Sequence, residues 1–440
     1  MSRLGKWGQY SVAELQDAGS LLVEDGNHGE YRPLPHEFSS IGVSFIRATD
    51  LGAGYVQFGS ASRINDTARA RIRKGIGAGG DVILSHKGTV GKVAFAPLDC
   101  EPFVCSPQTT FWRSLDQGAI DRRYLYYYLC SDDFRRQLDA RKGETDMADY
   151  VSLTAQRELT VCLPPIEEQC SIGYILGALD DKIELNRRMN HTLESMARAI
   201  FRSWFVDFDP VVAKAEGRQP YGISAEVAAL FPNRFVESVI GSVPDGWGVS
   251  DVGREFVVVM GQSPPGHTYN EEGNGLPFYQ GRTDFGIRYP KLRMFCTGPT
   301  RFAEAGDTLI SVRAPVGGLN IALVRCCIGR GLAAVRHRAG SRTYTYYALW
   351  SLEDEFDKFN ADGTVFGSIS KGDFHGVGCL APPQAVIDAY ELIVAPLDGL
   401  IETNTRQTAA LAALRDTLLP KLMSGELRVR DAEKLVGTHV

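Results

Sequence analysis

The amino-acid sequence predicts an α+β fold: two repeated mixed α/β modules, each followed by a long helix, with the two helices packed as an antiparallel coiled coil. A mostly apolar seam with alternating steps of four and three residues runs through residues 163–205. The same seam returns 218 residues later, so that Ile172 corresponds to Tyr390. A helix with so much apolar surface needs a partner. We therefore expect the two helices to pack on each other with pseudo-two-fold symmetry.

The first helix is predicted to begin after LPPIEE (163–168), because prolines can precede a helix and glutamates suit its N-terminus. LDDKIELN (179–186) aligns without a gap with LDGLIETN (397–404), and five of the eight residues are identical, which indicates an internal duplication. The predicted seam comprises, in the first helix, Ile172, Leu176, Leu179, Ile183, Asn186, Asn190, Leu193, Ala197, Ile200 and Trp204, and in the second Tyr390, Val394, Leu397, Ile401, Asn404, Thr408, Leu411, Arg415, Leu418 and Leu422.

The polar seam positions are expected to set the register of the helix pair. Asn186 and Asn404 occupy equivalent positions, and Asn190 and Thr408 follow one step later. The second module joins the end of the first helix to the start of the second, so the second helix most simply runs back along the first. In such a pair these four residues should lie close together near the middle, at some cost in stability.

The duplication predicts five segments, which are a first module at 1–150, the first long helix at 151–206, a connector at 207–243, a second module at 244–375 and the second long helix at 376–430. Short strands are expected at 43–48 and 81–85, and a helix at 124–142. GDVILSHKGTVG (80–91) is echoed by GDTLISVRAPVG (306–317), and FIRATDL (45–51) by FYQGRTDF (278–285). The modules therefore share a framework and differ in detail, which suggests two readers of different targets at a spacing fixed by the helices.

Composition restricts the class of protein. The 440 residues suffice for two or three domains, and 44% hydrophobic with 23% charged residues is ordinary for a soluble globular chain. No apolar run approaches the length of a membrane span, and the N-terminus lacks the apolar core of a signal peptide. Nine cysteines without a CxxC pair favour reduced thiols in a cytoplasm and no metal site.

Two basic windows lie within this acidic chain, whose net charge is −6. Residues 276–342 contain eleven Lys and Arg against three acids, and residues 61–92 contain seven against two. Such windows are often only solvated surface, but their recurrence in two repeated modules favours binding of nucleic acid. The residues predicted to contact DNA are Arg63, Arg69, Arg71, Lys87, Lys92, Arg282, Arg288, Lys291, Arg293 and Arg313.

No motif predicts catalysis. GIGAGGD (75–81) resembles a nucleotide-binding loop, but it precedes a strand and is interpreted as a turn. Asp180 and Lys182 fit a nuclease-type pair only superficially, because they lie on the long helix, where a solvated face is expected. Two alternatives stay open, a self-contained methyltransferase-nuclease, which the missing motifs disfavour, and a helical scaffold without a nucleic-acid role.

Several blocks resemble the specificity subunit of type I restriction-modification systems. In the first half these are LPPIEEQ (163–169), LDDKIELN (179–186), ARAIFRSWFVDFDPVVAKAEG (197–217), LFPNRF (230–235) and PDGWGV (244–249); in the second half they are LAPPQ (380–384), IETN (401–404) and LLPKLMSGEL (418–427). The resemblance covers essentially the whole chain in family order. One departure is APPQAVIDAY, which replaces LPPIEEQCSI and makes the start of the second helix less typical.

The resemblance implies that each module is a target-recognition domain reading one half of a divided duplex DNA site. The chain itself would be non-catalytic and hold no cofactor. It would bind two methyltransferase subunits, which use adenosylmethionine, and through them restriction subunits that use ATP and magnesium. This implies a prokaryotic, cytoplasmic defence against phage, without a membrane partner. Because recognition domains vary freely in this family, the resemblance assigns no DNA-contacting residue.

Overall fold

The computed structural model describes residues 7–437 apart from 27–28, 53, 143–148, 314 and 362–366. The chain forms two compact units, the first made of Met1–Arg187 with Arg406–Val440 and the second of Arg188–Thr405. The boundary cuts both long helices near the middle. Each unit therefore contains one module together with half of each long helix.

The two long helices are Ile166–Phe205 and Gln384–Met423, of 40 residues each. The less typical segment before the second helix does not alter its start, since both helices begin directly after two prolines. In the first unit, seam residues of both helices are at most 2% exposed and share one hydrophobic core: Ile172, Leu176, Leu179, Ile183, Leu411, Leu418 and Leu422. In the second unit Ala197, Trp204, Tyr390, Val394 and Ile401 are buried, while Leu193, Ile200 and Leu397 are half-buried.

Contacts within each unit show that the helix segments run antiparallel, as predicted. In the first unit Arg415 pairs with Asp180, and Asn186 contacts Gln407. Positions therefore rise along one helix as they fall along the other. In the second unit the contacts between Asn190 and Asn404 and between Ala197 and Tyr390 follow the same rule.

The buried amides of the seam are hydrogen-bonded in both units. Asn404 donates to the side-chain oxygen of Asn190 at 2.9 Å, and Asn190 donates to the Thr405 hydroxyl at 3.2 Å. Asn186, which is 1% exposed, donates to Gln407 at 2.9 Å. A satisfied buried amide restricts the helices to one register, because a slip would leave it without a partner.

The described residues of the first unit form three sheets. A two-stranded antiparallel sheet joins Gly8–Ser11 to Thr160–Leu163. The six-stranded sheet has the order Leu21–Asp25, Thr109–Ser114, Val82–Ser85, Val93–Phe95, Tyr55–Val56 and Leu51–Gly52. The five-stranded sheet has the order Phe38–Ser39, Ser62–Ile64, Val43–Ile46, Phe103–Cys105 and Ile76–Gly77.

The second unit repeats this framework. Gly248–Asp251 forms an antiparallel pair with Gly378–Ala381, the strand before the second long helix. In the first unit, Gly8–Ser11 pairs in the same way with Thr160–Leu163, the strand before the first long helix. The four-stranded sheet has the order Phe256–Met260, Leu332–His337, Thr308–Ser311 and Leu319–Ile321. The five-stranded sheet has the order Tyr269–Asn270, Met294–Cys296, Leu276–Tyr279, Cys326–Ile328 and Phe302–Ala303. The duplication predicted from the helices thus extends to the sheets.

Shorter helices complete the two units. They are Val12–Asp17, Asp66–Arg71, Arg122–Cys130, Asp132–Asp139, Leu153–Arg157, Val252–Glu255, Arg342–Trp350, Glu353–Ala361, Lys371–Gly376 and Val429–Val436. The single helix predicted at 124–142 is corrected to two. Ser131 interrupts it, because its hydroxyl accepts from the amide of Phe134 at 3.3 Å and so caps a new helix.

Residues 207–243, predicted to be a connector, contain ordered elements of the second unit. These are two helices, Asp209–Ala215 and Ala225–Ala229, and an antiparallel hairpin of Phe235–Ser238 with Gly241–Pro244. Trp204 packs edge to face on Phe231 with ring centroids 5.2 Å apart. This segment therefore closes the core of the second unit. Among the described residues, none of the helices has the length and apolarity that crossing a membrane requires.

Candidate nucleic-acid interface

Each module has a loop at the same place, directly after a buried central strand. The first strand-end loop, residues 85–92, follows the strand Val82–Ser85. The second strand-end loop, residues 311–318, follows the strand Thr308–Ser311. Both strands are fully buried, so each loop rises from a rigid base.

The two strand-end loops are closed by the same hydrogen bonds. The amides of Gly91 and Lys92 donate to the carbonyl and hydroxyl oxygens of Ser85 at 2.9 and 2.8 Å. The second loop repeats both bonds around Ser311, at 3.0 and 2.9 Å. Gly91 and Gly317 have φ of 95° and 98°, a region that glycine adopts readily. The closing hydrogen bonds and the glycine conformation are therefore duplicated features of the two modules.

A second tie fixes each loop to the segment that leads into the long helix. The amide of Val151 donates to the carbonyl of His86 at 2.9 Å, and the next loop residue, Lys87, forms a β-bridge with Tyr150. The Lys87 ammonium also lies 5.7 Å from the centroid of the Tyr150 ring. The second unit repeats both main-chain contacts, and there Arg313 takes the position of Lys87. Two exposed cations thus occupy one structural position in the two modules.

Beside each loop lies a short 3-10 turn that ends in a buried aspartate. The first aspartate turn is Ala48–Asp50 and the second is Arg282–Asp284. The aspartate accepts from the amide of Arg47 at 2.8 Å in the first turn, and from that of Gln280 at 2.6 Å in the second. Both aspartates accept hydrogen bonds from backbone amides and so stabilise the conformation of the turns.

The structure places three of the predicted DNA contacts of the first unit on the five-stranded sheet or the helix after it. Arg63 is exposed and donates to the carbonyl of Gly42 at 3.0 Å. Arg69 is half-buried. Arg71 binds buried Glu37 through both carboxylate oxygens at 2.6 and 2.7 Å, and holds the pKa of that carboxyl at about 2. A charge that is already neutralised in this way is a poor candidate for a phosphate contact.

Four of the remaining predicted contacts are exposed cations, and one of the four is paired with a carboxylate. Lys92, Arg282 and Lys291 are exposed. Arg293 is 58% exposed and forms an ion pair with Asp284, the aspartate of the second turn. Lys92 belongs to the first strand-end loop and Arg282 opens the second aspartate turn, so the structure brings these two to the loops that carry Lys87 and Arg313.

Arg288 is not a surface residue, and it is removed from the set of predicted DNA contacts. It is 3% exposed, and its guanidinium donates to Asp398 at 2.6 Å and to the Tyr347 hydroxyl at 3.0 Å. Glu194 lies 3.9 Å away, and the ring of Tyr346 is stacked at 3.8 Å. The side chain therefore points from the second module into the halves of both long helices that belong to the same unit. Charge counting along the sequence cannot distinguish such a core arginine from a surface one.

Arg47 was not among the predicted contacts, but it lies at the start of the first aspartate turn. It is exposed, and its guanidinium carbon is 5.4 Å from the ring centroid of Phe38. The signal was present in the alignment of FIRATDL with FYQGRTDF, where an arginine precedes the same Thr-Asp pair in both modules, with one residue between them in the first module and none in the second.

The acidic residue Asp180 is corrected from a solvated helix face to a buried structural group. It is 4% exposed and accepts from the Tyr127 hydroxyl and the Arg415 guanidinium, both at 2.6 Å. Its counterpart in the repeat, Asp398, accepts from the Tyr347 hydroxyl at 3.1 Å. Each carboxylate on a long helix thus holds a tyrosine of the module in its own unit.

The segment GIGAGGD is a turn only in part: Ile76–Gly77 is a short strand of the five-stranded sheet, and the predicted turn is confined to residues 79–80, before the strand Val82–Ser85. The aspartate of this segment is likewise structural. Asp81 accepts from the amide of Ala78 at 2.7 Å and forms an ion pair with Arg113 at 2.7 Å. Asp307 and Arg336 form the same 2.7 Å pair in the second unit. Within the part of the chain that the structure describes, no three His, Cys, Asp or Glu side chains gather as metal ligands.

The chain resembles proteins whose type is known. The family model described as "Type I restriction modification DNA specificity domain" matches residues 39–195. The chain is 27% identical over 398 residues to the putative type I restriction enzyme MjaX specificity subunit of Methanocaldococcus jannaschii. This alignment covers 89% of this chain and 88% of that protein. It is 25% identical to the type I restriction enzyme HindI specificity subunit of Haemophilus influenzae, over 96% of this chain and all of that protein.

A solved structure shares the fold. The type I restriction-modification system S subunit from M. genitalium aligns with a TM-score of 0.61 at 16% identity, over 96% of this chain and 97% of that one. At this level of identity the likeness concerns architecture alone. It agrees with the two modules and paired long helices described above.

Proposed function

We propose that this chain is a specificity subunit of a type I restriction-modification system and that it reads a duplex DNA site in two halves, one with each module. The observation that carries the proposal is the duplicated strand-end loop, which presents Lys87 and Arg313 at the same position of two modules that otherwise differ. Exposed cations on rigid loops suit the phosphate backbone, which every duplex presents.

The chain supplies recognition and assembly, and its partners supply the chemistry. We propose that it binds two methyltransferase subunits, which carry adenosylmethionine, and through them restriction subunits that require ATP and magnesium. These partners place it in the prokaryotic cytoplasm. The proposal is supported by the specificity subunits that the chain resembles over most of its length, and by buried carboxylates that are engaged in structural pairs.

DNA binding separates this proposal from a purely structural scaffold. The full chain, co-expressed with its methyltransferase partner, should bind duplex DNA with an affinity that falls linearly in a plot of log K against log salt concentration, because bound phosphates release counterions. Absence of binding to any duplex at low salt would support the scaffold alternative.

Turnover assays on the chain alone test the other alternative. A nuclease-free preparation should show no DNA methylation, DNA cleavage or ATP hydrolysis. Methylation by the isolated chain would establish a self-contained enzyme.

A further inference from the structure

Each module has a cationic side chain that extends between its strand-end loop and its aspartate turn, but the two modules supply it from opposite segments. In the first unit the strand-end loop ends in Lys92, whose ammonium donates to the carbonyl of Ala48 in the aspartate turn at 3.1 Å. In the second unit the loop ends in Gly318, and the turn begins with Arg282. A Cβ placed on Gly318 would lie 3.2 Å from Cδ and 3.3 Å from Nε of Arg282, so that side chain lies across the glycine.

Hydrogen bonding identifies the exchanged positions as equivalent. Lys92 and Gly318 both donate their amides to the hydroxyl of the serine that begins the loop, at 2.8 and 2.9 Å. Ala48 and Arg282 are both the first residue of an aspartate turn. The cation therefore bridges the same loop and the same turn in each module, from the loop side in one and from the turn side in the other.

A structural tie between loop and turn would not need this charge. Asp81 with Arg113, and Arg71 with Glu37, show how this fold pairs cations that serve its interior. Lys92 and Arg282, by contrast, are exposed, and neither forms an ion pair with a carboxylate among the residues that the structure describes. A charge kept in both modules without an internal partner is available for an external anion.

We infer that Lys92 and Arg282 bind equivalent backbone phosphates, one in each half of the DNA site, beside Lys87 and Arg313. This inference rests on the proposed function. Two modules that diverge in sequence should read different bases. A cation that both modules retain should therefore bind a group that is present in both half-sites. That common element is the phosphate backbone, which positions a protein on DNA without specifying sequence.

Moving the charge from the turn to the loop tests the inference in the second unit. Arg282→Ala removes the cation. The double variant Arg282→Ala with Gly318→Lys restores it in the arrangement of the first unit. Removal of the arginine leaves the Ser311 hydroxyl oxygen, at 3.1 Å, as the closest atom to the new Cβ. Arg325→Ala is a matched control, because Arg325 is 56% exposed in the same unit and pairs with Glu304. Thermal unfolding of each variant confirms folding.

The measurement is the affinity of the full chain, co-expressed with its methyltransferase partner, for a fluorescent random-sequence duplex across a salt series. Loss of one phosphate contact should reduce the slope of log K against log salt by about 0.9. The affinity advantage of wild type over Arg282→Ala should therefore shrink about 3.5-fold when salt rises from about 50 to about 200 mM. The double variant should recover the wild-type slope, and the control should keep it.

The outcomes separate the inference from the function on which it rests. If the wild-type complex binds DNA with a salt-dependent affinity while Arg282→Ala leaves affinity and slope unchanged, the inference is overturned and the proposed function stands. Failure of the folded double variant to recover the slope also overturns it. A wild-type complex that binds no duplex contradicts the proposed function itself. The methylated sequence should stay the same in every variant, and a changed sequence would show that Arg282 contacts a base.

Discussion

Removal of the buried Arg288 should destabilise the second unit strongly. Its side chain is 2% exposed and its two strongest partners, Asp398 and the Tyr347 hydroxyl, lie 2.6 and 3.0 Å away. Arg288→Met keeps much of the side-chain volume but leaves Asp398 as an uncompensated charge. Breaking a buried ion pair in this way costs about 3–5 kcal/mol.

The same structure predicts that a second substitution will offset the first. In Arg288→Met with Asp398→Leu, neither charge remains, and replacing a buried pair by apolar groups is often neutral. The double variant should therefore recover most of the lost stability, which gives a coupling energy of several kcal/mol. Arg254→Met is the control, since its pair with Asp251 involves a guanidinium side chain that is 78% exposed and should contribute less than about 1 kcal/mol.

The cost of Arg288→Met should also depend on pH. Burial raises the pKa of the Asp398 carboxyl, and the Arg288 guanidinium opposes that rise. A carboxyl whose pKa is higher in the folded state stabilises that state when protonated, and this contribution is lost as the pH rises through the folded pKa. Without Arg288 the pKa of Asp398 rises further, so the variant should lose less stability near pH 5 than near pH 7.

Urea unfolding followed by pulsed hydrogen exchange measures the second unit separately from the first. Peptides from Arg342–Trp350, the helix that carries Tyr347, report on the second unit. If Arg288→Met lost less than about 1 kcal/mol of unfolding free energy, no more than the Arg254→Met control, Arg288 would not be a buried ion-pair residue that stabilises the second unit. A double variant no more stable than the single one would refute the coupling to Asp398.

Two further predictions concern the long helices. The double variant Asn190→Leu with Asn404→Leu removes a hydrogen-bonded amide pair from the seam. The midpoint of thermal unfolding should therefore rise, while the register of the two helices becomes less specific. A lower midpoint in the double variant would contradict this prediction. Four residues inserted into each helix at the unit boundary, after Arg187 and before Arg406, should lengthen each by about 6 Å and widen the gap between half-sites by about two base pairs. Unchanged spacing in a methylation map, or changed half-site sequences, would show that the helices do not set the gap.

The structure changes where such an insertion belongs. From the sequence alone, the segment between Gln169 and Ile172 at the start of the first helix is the natural place. Gln169 is 1% exposed, and its amide nitrogen donates to the carbonyls of Ala119 and Pro164. An insertion there would disrupt the core of the first unit, whereas an insertion after Arg187 leaves Gln169 and its hydrogen bonds in place.

The long helices were predictable because periodicity is a local signal. Steps of four and three residues identify the buried seam without knowledge of the partner, and the 218-residue repeat supplies that partner. The strands Val43–Ile46 and Val82–Ser85 were found for the same reason. The duplicated strand-end loops were visible as an echo between residues 80–91 and 306–317.

Tertiary pairing of charges was not predictable, because it joins residues that are far apart in sequence. Arg288 and Asp398 are 110 positions apart, and Asp180 and Arg415 are 235 apart. A basic window cannot separate a core arginine from a surface one, and a helical Asp-x-Lys cannot show that its aspartate is buried. The correspondence between Lys92 and Arg282, one in a loop and the other in a turn, could be recognised only from the hydrogen bonds of both loops.

If one chain reads two half-sites at a fixed distance, a map of methylated DNA should show a divided site. DNA from cells that carry this chain and its methyltransferase partner should contain one methylated sequence of two short specific parts separated by a constant, unspecific gap. Exchanging the second module, residues 244–375, for that of a relative should change one part and leave the other part intact. A continuous methylated sequence, or a change in both parts after the exchange, would show that the two modules do not read separate half-sites.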